Sequence, residues 1–273
     1  METRANRLES LQYILDGMES VLVAYSGGVD STFLLKVALE ILGGHVLAVT
    51  ARSEIHPSRE LQAAEEIARR LGAKHIFIET HEIADPNFTS NPPERCYYCK
   101  RGLFSKLREV AADYSQMQLV DGSNYDDRSQ YRPGRKAVRE CGVRSPLEEA
   151  RLTKDDIRFF SKRMGLITWD KPAAPCLATR FPYGHEITCA GLGRVERAEE
   201  FLFSLGIGQL RIRDHGTVAR IEVGKEDIPL LLQEDVVVRV INELTELGYC
   251  YVTLDLQGFR SGSLDEVLKK TGA

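Results

Sequence analysis

Ser26-Gly27-Gly28-Val29-Asp30-Ser31 stands where an apolar run ends and a helical pattern begins, a placement suited to holding phosphate. The run before it, Val21-Leu22-Val23-Ala24-Tyr25, is apolar and rich in β-branched residues and reads as a buried strand. Glycines at a strand-to-helix turn let backbone N–H groups approach an anion closely. Ser26 and Ser31 add hydroxyl donors, and the helix dipole favours negative charge at its start. The Gly-Lys-Ser/Thr ending of a Walker A loop is missing, so this is a different phosphate-binding turn. A second polar turn, Asp121-Gly122-Ser123-Asn124-Tyr125-Asp126-Asp127, offers groups for a ribose, an adenine edge or Mg²⁺-bound phosphates. Tyr131-Arg132-Pro133-Gly134-Arg135-Lys136 then sets three cations at a turn, suited equally to phosphate or to solvent.

Thiols form the second group of candidates. Of the six cysteines only Cys96 and Cys99 make a Cys-x-x-Cys, a spacing that suits a metal, a cluster or a redox pair but cannot complete a four-cysteine zinc site alone. Cys176 lies in Pro175-Cys176-Leu177-Ala178-Thr179-Arg180-Phe181-Pro182-Tyr183-Gly184, where Arg180 can favour a thiolate and hold an anion. A lone cysteine is ordinarily a small buried hydrophobe, but this one sits in a turn and not on an apolar helix face. Cys141, Cys189 and Cys250 lack a companion motif and are expected to be structural. The six histidines show no zinc spacing and carry no assigned role.

These residues need a scaffold, and the first half alternates strand and helix. Helical spacing covers the opening segment through Met18, and then 30–42, 57–71, 99–112 and 155–164; strands are predicted at 21–25, 46–50, 75–78 and 118–120. Such alternation predicts an α/β fold, a parallel sheet with helices on both faces, with ligands at the carboxyl ends of its strands. The Ser26 loop, the Ser53 region and the Asp121 loop would gather there. A Pro/Ala-rich connector at 169–175 marks a change of pattern. Beyond it come a helix at 192–205, paired strands at 210–213 and 218–223 around an Asp214-His215-Gly216 turn, a helix at 235–247 and a strand at 249–254. The expected domains are therefore 1–167 and a smaller α+β domain, 168–273.

The 273 residues are 43% hydrophobic and 28% charged, a soluble globular composition, with no apolar run long enough to span a bilayer. The amphipathic N-terminal segment lacks a signal-peptide core, so a cytoplasmic protein is expected. A net charge of −4 argues against a dominant nucleic-acid surface.

Ser-Gly-Gly-Val-Asp-Ser resembles the pyrophosphate loop of the PP-loop ATP pyrophosphatases, which split ATP into AMP and pyrophosphate. The whole pattern is more specific. That loop, Asp121-Gly122-Ser123, Tyr131-Arg132-Pro133-Gly134, Cys176 with Arg180-Phe181-Pro182-Tyr183-Gly184, and Leu254-Asp255-Leu256-Gln257-Gly258-Phe259-Arg260-Ser261-Gly262 together resemble the LarE family. These are ATP-dependent sulfur transferases of nickel-pincer nucleotide cofactor biosynthesis. The resemblance implies adenylation of a carboxylate of pyridinium-3,5-biscarboxylic acid mononucleotide, followed by its conversion to a thiocarboxylate. It implies ATP phosphate contacts from Ser26, Gly27, Gly28, Asp30 and Ser31, with Asp30 also holding Mg²⁺, and a second nucleotide-site motif at Asp121, Gly122 and Ser123. It further implies Cys176 as the sulfur-transfer cysteine, and substrate phosphate held by Arg180, Arg211 and Arg213. Glu199 and Glu222 would add metal or subunit contacts, and a homo-oligomer, a hexamer in the family, is expected.

Two sulfur mechanisms stay open. Cys176 can be sacrificed, ending as dehydroalanine after one turnover. Alternatively Cys96, Cys99 and Cys176 can hold a [4Fe–4S] cluster with one iron open to sulfide or another sulfur donor. Two other functions compete: a PP-loop transfer-RNA thiolase, which needs salt-sensitive RNA binding, and a non-catalytic ATP sensor, which would release no pyrophosphate.

Overall fold

A computed structural model describes residues 3–114, 117–129 and 132–266. Along the chain run α1 (Arg4–Asp16), β1 (Val21–Ala24), α2 (Val29–Leu42), β2 (Val46–Arg52), α3 (Ser58–Arg70), β3 (Lys74–Glu79), α4 (Pro86–Thr89) and α5 (Arg95–Asp113). There follow β4 (Gln118–Asp121), α6 (Gly134–Glu140), α7 (Pro146–Glu149), α8 (Lys154–Arg163), α9 (Cys189–Ser204), β5 (Leu210–His215), β6 (Val218–Val223), α10 (Ile228–Leu231), α11 (Glu234–Glu246) and β7 (Tyr251–Leu254). The chain divides into two compact units. One is formed by the chain up to Glu82 with Pro93–Ala174, the other by Ile83–Pro92 with the chain from Pro175 onward.

In the first unit four parallel strands lie in the order β3-β2-β1-β4. Both faces are covered, which is why the central strands β1 and β2 read as near-continuous apolar runs and do not alternate with polar residues. Val21, Val23, Val46, Ala48 and Val120 pack on one face with Phe33 of α2, Ala64 of α3 and Ile157 of α8. Leu22, Leu47, Val49 and Leu119 pack on the other with Phe104 and Leu107 of α5. A fully buried side chain such as Phe33 contributes about 1.5–3 kcal/mol by leaving water. The parallel α/β expectation holds.

In the second unit β5 and β6 pair antiparallel and β7 joins β6 in parallel. The hairpin turn falls later than its sequence suggests. Asp214 and His215 stay in β5, opposite Ala219 and Val218, and the chain reverses through Gly216 at φ +73°. Asp214 serves the turn from within the strand, accepting the Gly216 N–H at 2.8 Å. The fifth helix also starts earlier than expected, at Arg95, with Glu94 as its N-cap after Pro92-Pro93. Cys96 and Cys99 thus lie in its first turns.

Candidate functional site

The carboxyl ends of β1 and β4 are neighbours, with Ala24 opposite Asp121, so the two polar turns leave the sheet side by side. Gly27 has φ +67°, and a Cβ there would lie 2.8 Å from the backbone of Ala64 on α3. A Cβ on Gly122 would come within 3.0 Å of the Ser31 nitrogen. Glycine is therefore required at Gly27 by both dihedral and space, and at Gly122 by close packing against the start of α2. Within the first turn the Ser31 hydroxyl accepts the Ser26 N–H at 3.3 Å and lies 3.1 Å from the Ser26 hydroxyl. Asp30 sits in the first turn of α2, behind an extended Gly28 cap.

The Asp30 carboxylate is half used. Oδ2 accepts from Lys154 Nζ at 2.7 Å and from Asn124 Nδ2 at 3.4 Å, whereas Oδ1 is buried with no hydrogen-bond partner among the described residues. An unsatisfied buried carboxylate oxygen is costly on its own and fits a divalent cation or its water. Asp121, by contrast, is taken up in shaping its turn. Its oxygens accept from Ser123 Oγ and Ser145 Oγ, both at 2.7 Å. Asp127 is nearly buried, and burial pushes its carboxyl up against the opposing pull of Arg132 and the Asn124 N–H.

The basic turn is less available than its sequence suggests. Arg132 pairs with Asp127 at 3.0 Å, Arg135 with Glu148 at 2.7 Å and Lys136 with Glu140 at 3.8 Å. Tyr131 lies outside the described residues. Two lysines that the sequence did not single out reach the phosphate loop instead. Lys154 meets Asp30, and Lys171 donates to the Gly27 carbonyl at 3.1 Å while pairing with Glu60 at 2.8 Å. No local motif marks either lysine, because their partners lie more than 100 positions away.

On α5 Cys96 is exposed and Cys99 half-buried, one helical turn apart. The Cys99 thiol faces Glu82 Oε1 at 3.9 Å. Among the described residues no three His, Cys, Asp or Glu side chains are gathered as a metal-binding group.

In the second unit Cys176 caps the one-turn 3₁₀ helix Leu177–Arg180 and is half-buried. Its carbonyl accepts from Thr179 Oγ1 at 2.8 Å and from Arg180 at 3.2 Å, so the loop is held through its backbone. Arg180 makes a bidentate pair with Glu199, both contacts at 2.9 Å, and also donates to the Pro175 carbonyl at 2.9 Å. Arg213 donates to the Thr179 carbonyl at 2.6 Å, to Glu222 at 2.9 Å and to Ser263 Oγ at 2.7 Å. Burial disfavours the charged form of Arg180, but Glu199 outweighs it and holds the guanidinium above its ordinary value.

Arg211 differs from its neighbours. Its guanidinium stacks 4.5 Å from the centre of the Phe259 ring, and among the described residues it makes no hydrogen bond or ion pair. Burial, with Arg213 and Arg180 beside it, brings it well below its ordinary value, to about 10. It is still charged at neutral pH, and an anion would relieve that repulsion. Strand alternation placed Arg211 and Arg213 on one face, as their spacing required. Which of them already has a carboxylate partner is decided by β6.

The asparagine synthase family model matches residues 9–91. An uncharacterised protein of Synechocystis sp. is 43% identical over 97% of this chain and 99% of its own length. The pyridinium-3,5-bisthiocarboxylic acid mononucleotide synthase of Lactiplantibacillus plantarum is 39% identical over 99% of this chain and 98% of its own length. The GMP synthase of Aeropyrum pernix is 27% identical over 58% of this chain, a match confined to part of each protein.

Proposed function

This chain belongs to the family of pyridinium-3,5-bisthiocarboxylic acid mononucleotide synthases, the LarE family, and on that premise we propose that it is an ATP-dependent sulfur transferase. It adenylates a carboxylate of pyridinium-3,5-biscarboxylic acid mononucleotide and converts it to a thiocarboxylate. The single observation that carries this reading is the 39% identity running the length of both chains, with the phosphate loop and the Cys176 loop inside it.

A carboxylate is a poor electrophile at neutral pH, and joining it to AMP supplies the leaving group that direct attack by sulfur lacks. The turn from Ser26 to Ser31, with Gly122 and Ser123 beside it, supplies N–H and hydroxyl donors to the polyphosphate. Asp30 holds Mg²⁺ through Oδ1, which is left unsatisfied among the described residues. Arg211 takes an anionic group of the pyridinium nucleotide, because its donors are uncommitted among the described residues. Arg180 and Arg213 act as positioning residues, fixing the Cys176 loop through Glu199, Glu222 and the Thr179 carbonyl.

We assign the sulfur step to Cys96, Cys99 and Cys176 as ligands of a [4Fe–4S] cluster, on the strength of the Cys-x-x-Cys spacing and the turn setting of Cys176. Held by these three thiolates, such a cluster would keep one iron without a protein ligand and would supply a site for sulfide. The same reading has the protein working in the cytoplasm as a homo-oligomer with sulfide or another sulfur donor. No helix among the described residues is long and apolar enough to cross a membrane.

Anaerobic reconstitution tests the sulfur step. Cluster-loaded protein is expected to turn over repeatedly with added sulfide and to keep its mass, while Cys96→Ala and Cys99→Ala lose both iron and turnover. Loss of about 34 Da per turnover, the mass of H₂S leaving a nucleophilic cysteine, would establish the sacrificial route instead.

A further inference from the structure

The Asp30–Lys154 pair does not suit a permanent structural link. Lys154 Nζ lies 2.7 Å from Asp30 Oδ2, yet the lysine side chain is 40% exposed and the aspartate 22%. Ion pairs this open to water are held weakly and exchange readily. Around them the fixed parts are well anchored. The Lys154 N–H is held by Asp126 at 2.8 Å, Thr153 caps α8, and the Asp126 N–H is in turn held by Asn124. The lysine backbone is thus set in place while its ammonium remains on a flexible stem. Beside it, Asp30 Oδ1 is buried and unsatisfied among the described residues. Two groups of opposite charge meet at the mouth of the phosphate loop, and each has a better partner in magnesium–nucleotide: the carboxylate in the cation, the ammonium in the polyphosphate.

We propose that Lys154 is a polyphosphate-binding residue that exchanges Asp30 for the ATP phosphates when Mg²⁺ takes Asp30. Without nucleotide, the lysine neutralises the carboxylate and competes with free cation for it. With magnesium–ATP, both charges are re-paired in one step, so cation and nucleotide bind cooperatively and free cation binds poorly. Lys171 differs, since Glu60 and the Gly27 carbonyl hold it within the loop and its side chain is 19% exposed.

The inference rests on reading this loop as an ATP site, and its test needs no pyridinium substrate. Wild-type protein, Lys154→Met and Lys154→Arg are titrated with ATP in the presence of Mg²⁺. Separately they are titrated with Mn²⁺ alone, followed by electron paramagnetic resonance. Lys154→Met is expected to bind ATP about tenfold more weakly, the loss of one charge-assisted contact, and yet to bind free Mn²⁺ more tightly because Asp30 is released. Lys154→Arg is expected to stay near wild type in both. A strut that merely holds the loop would weaken both ligands together in Lys154→Met, and that result, or unchanged ATP affinity, overturns the proposal. Failure of the wild-type protein to bind ATP would overturn the ATP-site reading itself, and this inference with it.

Discussion

Arg211 and Arg213 stand two positions apart on one strand face, yet their contacts predict opposite phenotypes. Arg213→Met leaves Glu222 buried with one partner fewer, in a site where both charges are essentially inaccessible, and is expected to cost about 3–5 kcal/mol in urea unfolding. Arg211→Met removes a guanidinium that no carboxylate in the described protein depends on. It is expected to leave stability near wild type while raising KM for the pyridinium nucleotide about tenfold or more, with ATP affinity unchanged. Equal destabilisation by the two substitutions would refute the division of roles. At this scale the sequence was partly legible. The type and spacing of Ser26, Asp30, Cys176 and the arginines marked candidates, because phosphate turns and thiol turns have local signatures. The committed state of each charge did not show. Glu199, Glu222 and Ser263 reach Arg180 and Arg213 only through strand pairing and the chain's return, and Lys154 and Lys171 become visible only once α8 and its sequel fold against the β1 turn.

Elements carry these residues, and two of their joints are exposed to test. Gly27→Ala would need a strained left-handed alanine and would push its Cβ to 2.8 Å from Ala64, where the neighbour is helix backbone and cannot swing away. A loss of about 1–3 kcal/mol in stability together with weakened ATP binding is expected, measured by unfolding and by nucleotide titration. The second joint is the start of α8. Burial raises the Asp156 carboxyl, but hydrogen bonds from Thr153 and the Arg7 guanidinium prevail and hold it below its ordinary 3.8. The stabilisation from Asp156 is therefore present above about pH 4 and is lost as pH falls through the lower folded-state value. Asp156→Asn is expected to cost about 1–2 kcal/mol at pH 7, with the gap from wild type closing near pH 3 in parallel unfolding experiments. An undiminished gap at pH 3 would contradict it. The central strands β1 and β2 were readable because strands buried on both faces are near-continuous apolar runs. The β5–β6 turn was misplaced because Asp214-His215-Gly216 has turn composition, yet Arg194 and the Tyr249 hydroxyl meet Asp214 at 2.6 and 3.0 Å within the strand.

For the whole molecule, the two compact units show how far a linear reading reaches. Ile83–Pro92 leaves the first unit and belongs to the second, and no change of composition announces it. Its anchor is Asn91, fully buried at φ +55°, which donates to the Pro182 carbonyl at 2.7 Å and accepts the Gly184 N–H at 2.9 Å. A single asparagine in a left-handed turn carries no periodicity to detect. The chemistry was more legible than this topology, since the phosphate turn and the Cys176 turn are each contiguous in sequence. Both turns are proposed to serve one reaction, a carboxylate activated as its adenylate and then attacked by sulfur. Its most direct test labels both carboxylates of the pyridinium mononucleotide with ¹⁸O and follows AMP and nucleotide product by mass spectrometry under anaerobic turnover with sulfide. One ¹⁸O is expected in the AMP phosphate for each carboxylate converted, with a nucleotide product about 14 Da heavier than the labelled substrate for each ¹⁸O replaced by sulfur. Thiocarboxylate formed without ¹⁸O reaching AMP, or ATP consumed without thiocarboxylate, would contradict it.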